Sequence, residues 1–267
     1  MVVKREKFVN APARAGEGSR WIYGHHPVAE WLRARPTLLR RVQYDPRQAT
    51  RYADLLALAR TARLPASVAT DEILTRCAGT RHHQGIVAET GAFPYADLDQ
   101  VLQAKARLLV LADQLQDPHN LGALLRTAAA VGAGAVIIPK DGSAMVTPAV
   151  EAAAAGAAAI VPVCRVTNAA RALEMAKRNS YWSIGLVPSR GIDVYDLEAP
   201  ERALVVLGGE TGMRPLVAKG CDFVVSIPMH GPIESLNASV AAAIVLYELL
   251  RKWRQPRGVR ARAPEVS

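Results

Sequence analysis

The sequence of 267 residues has little that would tie it to a membrane, a disulfide framework or a metal. It has no run of about 18 consecutive apolar residues, so no transmembrane helix is expected. The charged residues 1–20 are not followed by an apolar segment, which argues against a secretory signal. The 3 cysteines lack C-x-x-C spacing, and the pairs His25-His26 and His82-His83 lack further ligand spacing. We therefore expect a cytoplasmic protein with reduced cysteines and no bound metal.

Several common nucleotide-binding and hydrolase motifs are also absent. The chain has no G-x-G-x-x-G between a strand and a helix, no G-x-x-x-x-G-K-[S/T] and no G-x-S-x-G. Their absence argues against a Rossmann-type oxidoreductase, a P-loop hydrolase and an α/β-hydrolase. An enzyme with this sequence needs a different kind of cofactor site.

Positive charge is abundant. The chain has 33 Lys and Arg against 24 Asp and Glu, a net charge of +9 and a pI near 9.8. The excess is concentrated at both ends of the chain, and Arg33, Arg35, Arg40 and Arg41 form a further group. Such a surface favours a polyanionic partner, above all nucleic acid. Charge alone is also compatible, though less so, with a role in solubility.

The pattern of apolar residues divides the chain into two domains. We predict a mobile basic arm over 1–19, a small domain over 20–90, a linker over 91–106, a larger domain over 107–255 and a basic tail over 256–267. In the larger domain, apolar runs alternate with helical patterns, which is typical of a parallel α/β sheet covered on both faces. Its predicted strands are Leu108–Ala112, Ala135–Pro139, Ile160–Val163, Tyr181–Val187, Ala203–Leu207 and Phe223–Ile227.

Three motifs directly follow predicted strands of the larger domain. The first is Asp117-Pro-His-Asn-Leu-Gly-Ala-Leu-Leu-Arg-Thr and the second is Leu207-Gly-Gly-Glu-Thr-Gly-Met-Arg. The third is Ser226-Ile-Pro-Met-His-Gly-Pro-Ile-Glu-Ser-Leu-Asn-Ala-Ser. Ligands of open parallel sheets bind beyond the carboxyl ends of the strands, so this placement indicates a binding site.

Each motif by itself also has an ordinary structural interpretation. Asn120 is placed to cap a helix that Gly132 ends. Arg126 is expected roughly 150° from the apolar face of that helix, at about 100° per residue, and therefore in solvent. Glu210 lies in a turn of glycines that tolerate positive φ. An Ala-rich helix is predicted to start with the small polar residues Ser235, Asn237 and Ser239, where free N–H groups can hold a polar ligand.

In their order and separation, the three motifs resemble those of the SpoU/TrmH-type RNA 2′-O-methyltransferases. The resemblance spans residues 108–251, and the segments Tyr23-Gly-His-His-Pro-Val and His83-Gln-Gly-Ile-Val-Ala extend it to the first domain. It implies a SPOUT-type α/β fold: a parallel-sheet methyltransferase domain with a trefoil knot, preceded by a small α/β domain that binds the RNA substrate. It also implies a homodimer formed through the catalytic domain.

The resemblance further implies S-adenosylmethionine as the cofactor and assigns the site residues. Cofactor contacts fall at Gly208, Ile227 and Leu236, and a polar catalytic cluster at Asn120, Arg126, Glu210, Ser235 and Asn237. No metal is implied, because a methyl group on a sulfonium is already an activated electrophile. The family suggests Arg126 for activating the ribose hydroxyl. Because arginine stays protonated in proteins, we favour its binding the adjacent phosphate and stabilising alkoxide charge. The visible departure is Ala238, where the family more often has Val.

Other classes of function stay open at this stage. A non-catalytic RNA-binding or ribosome-assembly protein could retain the fold, although the complete polar cluster argues against it. A Rossmann-type oxidoreductase lacks its phosphate motif. The modified nucleotide is also open. The first domain favours ribosomal over transfer RNA, and the full-length likeness favours a guanosine of the large subunit; adenosine methylation of the thiostrepton-resistance type is an alternative.

Overall fold

The computed structural model describes residues 19–254, in which two sheets form. The first domain contains, in chain order, β1 (Arg20–Tyr23), α1 (His25–Ala34), β2 (Leu39–Tyr44), α2 (Ala53–Thr61), β3 (Ala66–Val68), α3 (Asp71–Ala78) and β4 (Ile86–Thr90). The strand order is β1-β4-β2-β3; β4 is antiparallel to β1 and β2, and β3 is parallel to β2.

Side chains of β4 alternate between the two faces of this first sheet, as a strand requires. Ile86 and Ala88 pack in the cluster that includes Leu32 of α1 and Leu55 of α2. Val87 points the other way and packs with Leu74 of α3. Helices α1 and α2 therefore cover one face of the sheet, and α3 covers the opposite face.

The second domain is a larger, fully parallel sheet. Its elements are α4 (Leu98–Gln103), β5 (Leu108–Asp113), α5 (Pro118–Val131), β6 (Ala135–Pro139), α6 (Pro148–Ala153), β7 (Val163–Val166), α7 (Ala169–Arg178), β8 (Trp182–Leu186), β9 (Ile192–Asp193), β10 (Ala203–Gly208), α8 (Pro215–Gly220), β11 (Phe223–Ser226) and α9 (Ala238–Arg254). The 7 strands lie in the order β7-β6-β5-β10-β8-β11-β9, and each pairing is parallel.

Helices cover both faces of the parallel sheet. Along β5, Val110 packs in the cluster that includes Leu124 of α5 and Leu246 of α9, whereas Leu109 packs with Leu173 of α7 on the other face. Strands buried on both faces have no polar side, which accounts for their uninterrupted apolar sequences. The predicted parallel α/β architecture is confirmed.

Some predicted boundaries are wrong. The strand predicted at Ile160–Val163 begins at Val163, because the N–H groups of Ile160 and Val161 bond to the Ala157 carbonyl and continue the turn at Ala157–Ala159. The short strands β1 and β9 were not predicted. The basic arm predicted over 1–19 lies outside the described residues except for its last residue, and the tail predicted over 256–267 lies wholly outside them.

The path of the chain around β11 bears on the predicted knot. Strand β11 lies between β8 and β9, which are consecutive in the sequence. The approach is close, since a Cβ on Gly191 would lie 2.6 Å from the carbonyl carbon of Val225. The trefoil knot stays a prediction. Within residues 19–254, no helix has the length and apolar content needed to span a membrane.

A buried polar junction connects the two domains. Glu151 of α6 is fully buried; it accepts a 2.7 Å hydrogen bond from Trp31 Nε1 and lies 3.0 Å from Arg20 Nη2. Burial raises the pKa of Glu151, although the charge of Arg20 and the Trp31 hydrogen bond act to lower it. Arg35 Nε also crosses the boundary and donates to the carbonyl of Ala159 at 2.9 Å. The domains therefore pack directly on each other.

Candidate active site

A cavity of about 390 Å³ lies at the carboxyl edge of the parallel sheet, where β8, β10 and β11 end. This volume falls within the roughly 300–1,000 Å³ range of small-molecule sites. Seven of the eight predicted site residues line it: Asn120, Gly208, Glu210, Ile227, Ser235, Leu236 and Asn237. Segments far apart in sequence thus converge at one edge of the sheet, as the strand-end placement predicts.

A tight glycine loop follows β10 and forms one wall of the cavity. A Cβ on Gly208 would lie 2.1 Å from the carbonyl carbon of Gly212, and a Cβ on Gly209 would lie 2.1 Å from the carbonyl oxygen of Gln114. No side chain fits either position without moving backbone. The loop therefore presents bare peptide groups to the cavity, which suits close contact with a ligand.

A buried ion pair fixes the far end of this loop. Asp113, at the end of β5, is fully buried and accepts hydrogen bonds from the backbone N–H and the Nε of Arg214, each at 2.8 Å. The Asp113 carbonyl also accepts from the Gly209 N–H at 2.9 Å. Sequence reasoning missed Asp113, although a carboxylate ending an apolar strand is a signal. Arg214 is the last residue of the second motif.

Asn120 and Asn237 connect the first and third motifs. Asn237 Nδ2 donates to Asn120 Oδ1 at 2.8 Å. Asn237 Oδ1 accepts from the backbone N–H and the hydroxyl of Ser239, at 2.9 and 2.6 Å. Asn237 thus caps α9 with its oxygen and holds Asn120 with its nitrogen.

Two predicted details of these helix starts are wrong. The cap of α5 is Asp117, whose carboxylate accepts from the His119 N–H at 2.9 Å. Asn120 lies inside the first turn and is only 9% exposed, so its side chain faces the cavity instead. Helix α9 begins at Ala238, so Ser235 and Asn237 precede the helix. The C-cap predicted at Gly132 is correct: it has a left-handed φ of 77°.

The structure of one chain leaves Arg126 outside the cavity. Leu121, Leu124, Leu125 and Ala128 bury the apolar face of α5, and Arg126 is exposed on another side, as expected. It lies six residues after Asn120, roughly 9 Å along the helix axis at about 1.5 Å per residue. Within residues 19–254, the guanidinium of Arg126 has no ion-pair partner. In the same range, Glu210 forms no hydrogen bond with Arg126 or with Asn120.

The lining suits an amphipathic ligand with an aromatic part and charged ends. Apolar side chains come from Leu207, Ile227 and Leu236, and polar groups from Asn120 and Asn237. A few placed polar groups in a mostly apolar pocket orient a ligand while burying its apolar surface. An adenosine with a sulfonium-bearing amino acid fits this donor set.

Comparisons with known proteins agree with the site. The sequence matches the model of the SpoU rRNA Methylase family over residues 107–247. It also matches the model described as RNA 2′-O ribose methyltransferase substrate binding over residues 21–96. The two matches correspond to the parallel-sheet domain and the smaller domain.

Individual relatives extend along most of the chain. The 23S rRNA (guanosine-2′-O-)-methyltransferase RlmB of Nitrosomonas europaea is 39% identical over 246 residues, which cover 90% of this chain and 94% of the relative. The putative TrmH family tRNA/rRNA methyltransferase YacO of Bacillus subtilis is 42% identical over 185 residues, covering 67% of this chain and 74% of YacO.

Among solved structures, the SpoU methyltransferase AviRb of Streptomyces viridochromogenes in complex with AdoMet is similar. Its TM-score is 0.74 at 27% identity, covering 88% of this chain and 91% of AviRb. Fold and site together define a methyltransferase with a parallel-sheet cofactor domain. The chain belongs to the SpoU rRNA methylase family, whose members are S-adenosylmethionine-dependent RNA 2′-O-methyltransferases.

Proposed function

We propose that this enzyme methylates the ribose 2′-oxygen of a guanosine in large-subunit ribosomal RNA. The observation that carries the proposal is the cavity at the sheet edge, lined by seven of the residues that the family resemblance names. The choice of guanosine rests on the RlmB relative, which matches over both domains. The name of YacO mentions both tRNA and rRNA, so transfer RNA is the alternative substrate.

The residues that line the cavity have separate roles in the proposed reaction. The cofactor, when bound, supplies a methyl group on a positively charged sulfur. Asn237 is held by Asn120 and by the start of α9, so its position is fixed before any substrate binds. Ser235 and Asn237 orient the ribose, and Gly208, Ile227 and Leu236 contact the cofactor. Preorganised groups of this kind hold the attacking oxygen in line with the methyl–sulfur bond.

Arg126 stabilises the alkoxide that develops on the ribose oxygen and binds the adjacent phosphate, while its guanidinium stays protonated. Glu210, exposed in the glycine loop, orients Arg126 or Asn120 when RNA is bound. Because Arg126 lies outside the cavity of its own chain, this role requires that a second chain brings Arg126 to the cavity.

We propose a homodimer for this reason. The loop before α9 and one side of α9 expose the large apolar side chains Ile233 (66%), Leu236 (37%), Val240 (48%) and Tyr247 (51%). Of these residues, Leu236 lines the cavity, and α9 packs on α5, which carries Arg126. In a symmetric dimer over this face, each copy contributes the same surface, so the Arg126 of one copy is placed near the cavity of its partner.

The proposed cellular location is the cytoplasm, where ribosomal RNA is available. Cys77, Cys164 and Cys221 are all free thiols. Burial raises the pKa of Cys164 to about 12 and that of Cys221 to about 11, so neither is a reactive thiolate at neutral pH.

Mapping 2′-O-methyl groups in ribosomal and transfer RNA, from cells with and without the gene, tests the proposal. We expect loss of one 2′-O-methylguanosine in the 23S RNA. Loss of a methyladenosine or of a tRNA modification would reject the proposed substrate. If the purified protein binds S-adenosylmethionine but methylates neither RNA, the non-catalytic alternative is favoured.

A further inference from the structure

The first domain has a group of arginines close together in the sequence, and their side chains bond to other groups of the protein. The group consists of Arg33, Arg35, Arg40 and Arg41. Its ion pairs are Arg33 with Glu30 at 2.7 Å, Arg40 with Glu89 at 3.7 Å, and Arg41 with the same Glu89. Arg35 is occupied at the junction with Ala159, and burial lowers its pKa although Glu151 raises it. Two carboxylates thus pair with three of these arginines, so the group offers less free charge to a polyanion than its sequence indicates.

A different polar surface, which carries the cation Arg51, lies where α1 begins, next to the start of α2. We call the exposed His26, Arg51 and Gln84, together with the half-buried His25, the histidine surface. The rings of His25 and His26 lie 5.0 Å apart at 89°. His25 also stacks on the buried ring of Tyr52 at 6.0 Å, and the guanidinium of Arg51 lies 5.7 Å from the same ring. The ring of Tyr52 thus fixes His25 and Arg51 side by side.

A third segment completes this surface. The backbone N–H of His25 donates to Gln84 Oε1 at 2.9 Å, and the Tyr52 hydroxyl donates to the Gln84 carbonyl. Gln84 has a left-handed φ of 57°, and its side chain reaches the first residue of α1. With Oε1 occupied, the amide NH₂ of Gln84 is the group left to donate outward.

No carboxylate neutralises the histidine surface. Within residues 19–254, the ion pairs include none to His25, His26 or Arg51. Burial lowers the pKa of His25, and the positive charges of His26, Arg51 and Arg33 lower it further, with no carboxylate acting in the opposite direction. This contrasts with Arg33, Arg40, Arg41 and Arg47, each of which has a carboxylate partner.

The histidine surface also lies at the boundary between the domains. A Cβ on Gly156 of the methyltransferase domain would come within 2.7 Å of the His26 carbonyl oxygen and 2.9 Å of Glu30 Cβ. The histidine surface therefore adjoins the turn after α6. Helix α6 in turn packs on α5, since a Cβ on Gly122 of α5 would lie 2.5 Å from Ala153 Cβ.

We propose that the histidine surface binds an unpaired segment of the RNA substrate, with Arg51 on a phosphate and the exposed His26 ring against a base. Unpaired bases stack on flat side chains, and guanidinium groups bind phosphates, so this combination without acidic neighbours fits looped RNA. The inference rests on the proposed function, because it takes RNA as the substrate. The inference assigns the RNA contacts of the first domain to residues at the domain boundary and not to the Arg33–Arg41 group.

The test uses the full chain carrying both His26→Ala and Arg51→Gln, with an unmodified 23S ribosomal RNA transcript as the probe. Both side chains are exposed, so the fold should be retained. We expect RNA affinity to fall about 10-fold, with a salt dependence shallower by about one unit of log K per tenfold salt. Affinity for S-adenosylmethionine and turnover at saturating RNA should not change. Arg51→Gln alone should give part of the loss.

A matched control is Arg76→Gln. Arg76 is exposed on α3, which covers the opposite face of the first sheet, and has no ion-pair partner within residues 19–254. It should bind RNA within 2-fold of wild type. Wild-type affinity in the double variant, or an equal loss in Arg76→Gln, would overturn the assignment of this surface. If the wild-type protein itself fails to bind and methylate the transcript, the proposed function fails instead.

Discussion

The two domains use their polar residues in different ways. In the methyltransferase domain, polar groups from segments 117 residues apart, Asn120 and Asn237, meet in one cavity at one edge of the sheet. In the first domain, charges are distributed over the surface, and Glu30, Asp45 and Glu89 are each paired with an arginine. The methyltransferase domain gathers its reactive groups in one cavity. The first domain spreads its charged groups over its surface and uses some of them to pack on the methyltransferase domain. Substitutions should therefore change turnover in one domain and RNA affinity or domain packing in the other.

The junction between the domains should give the largest effect. Glu151→Ala leaves Arg20 without its carboxylate, and breaking a buried pair from one side costs about 3–5 kcal/mol. We expect calorimetry to show two separate unfolding transitions. Glu30→Gln is the control, since its partly exposed pair with Arg33 contributes about 0–1 kcal/mol. One unshifted transition in Glu151→Ala would show that the domains do not depend on this contact.

Arg126→Ala should lower the rate of methyl transfer strongly and change cofactor affinity little. Losing one group that stabilises developing negative charge lowers turnover by about 10²–10³. Affinity for S-adenosylmethionine should stay within a few-fold, because the proposed contacts of Arg126 are with the ribose oxygen and phosphate of the RNA and not with the cofactor. Arg171→Ala, an exposed arginine on α7 at the other face of the sheet, is the control in methyl-transfer assays. Wild-type turnover in Arg126→Ala would remove Arg126 from the proposed mechanism.

Asp113→Asn should loosen the glycine loop that lines the cavity. Weakening hydrogen bonds to a charged group costs about 1.5–3 kcal/mol, so we expect S-adenosylmethionine affinity to fall at least about 10-fold. Asp222→Asn is a matched control, because Asp222 also accepts from a backbone N–H and a cation, but at the opposite edge of the sheet. Titration calorimetry compares the two, and equal losses of affinity would indicate a general effect on stability.

The smallest expected effect is that of metal removal. EDTA should leave methyl transfer unchanged apart from effects on RNA folding, because the sulfonium methyl is already activated. A short unstructured RNA substrate separates the two effects. Loss of activity that added Mg²⁺ restores on such a substrate would contradict the metal-free mechanism.

The parts of the fold that were predictable are those that the apolar pattern determines locally. Fully buried strands such as Leu108–Asp113 have no polar residue until their last position, so they are recognisable one at a time. The strand β9, only Ile192–Asp193, is too short for such a pattern. The start of β7 was misplaced because Ile160 and Val161 continue the apolar pattern of the strand, although both lie in the turn that follows Ala157–Ala159.

The candidate site was predictable only where a motif carried the information. Contacts between residues far apart in the sequence were not predictable. Asp113 and Arg214 are 101 residues apart, and Arg41 and Glu89 are 48 apart. Net charge and local clusters of arginine do not reveal which cations already have partners. The Arg33–Arg41 group therefore looked like an RNA contact in the sequence, whereas in the structure Glu30 and Glu89 occupy most of it.

The hydrogen bond between Asn120 and Asn237 has a consequence for synthesis of the protein. Domains generally fold from the N-terminus as the chain emerges from the ribosome. Here the wall formed by Ile227, Leu236 and Asn237 belongs to the last part of the methyltransferase domain to be translated. A nascent chain that has not yet passed this segment has no complete cavity, so the enzyme cannot take up its cofactor before translation of the domain is nearly finished.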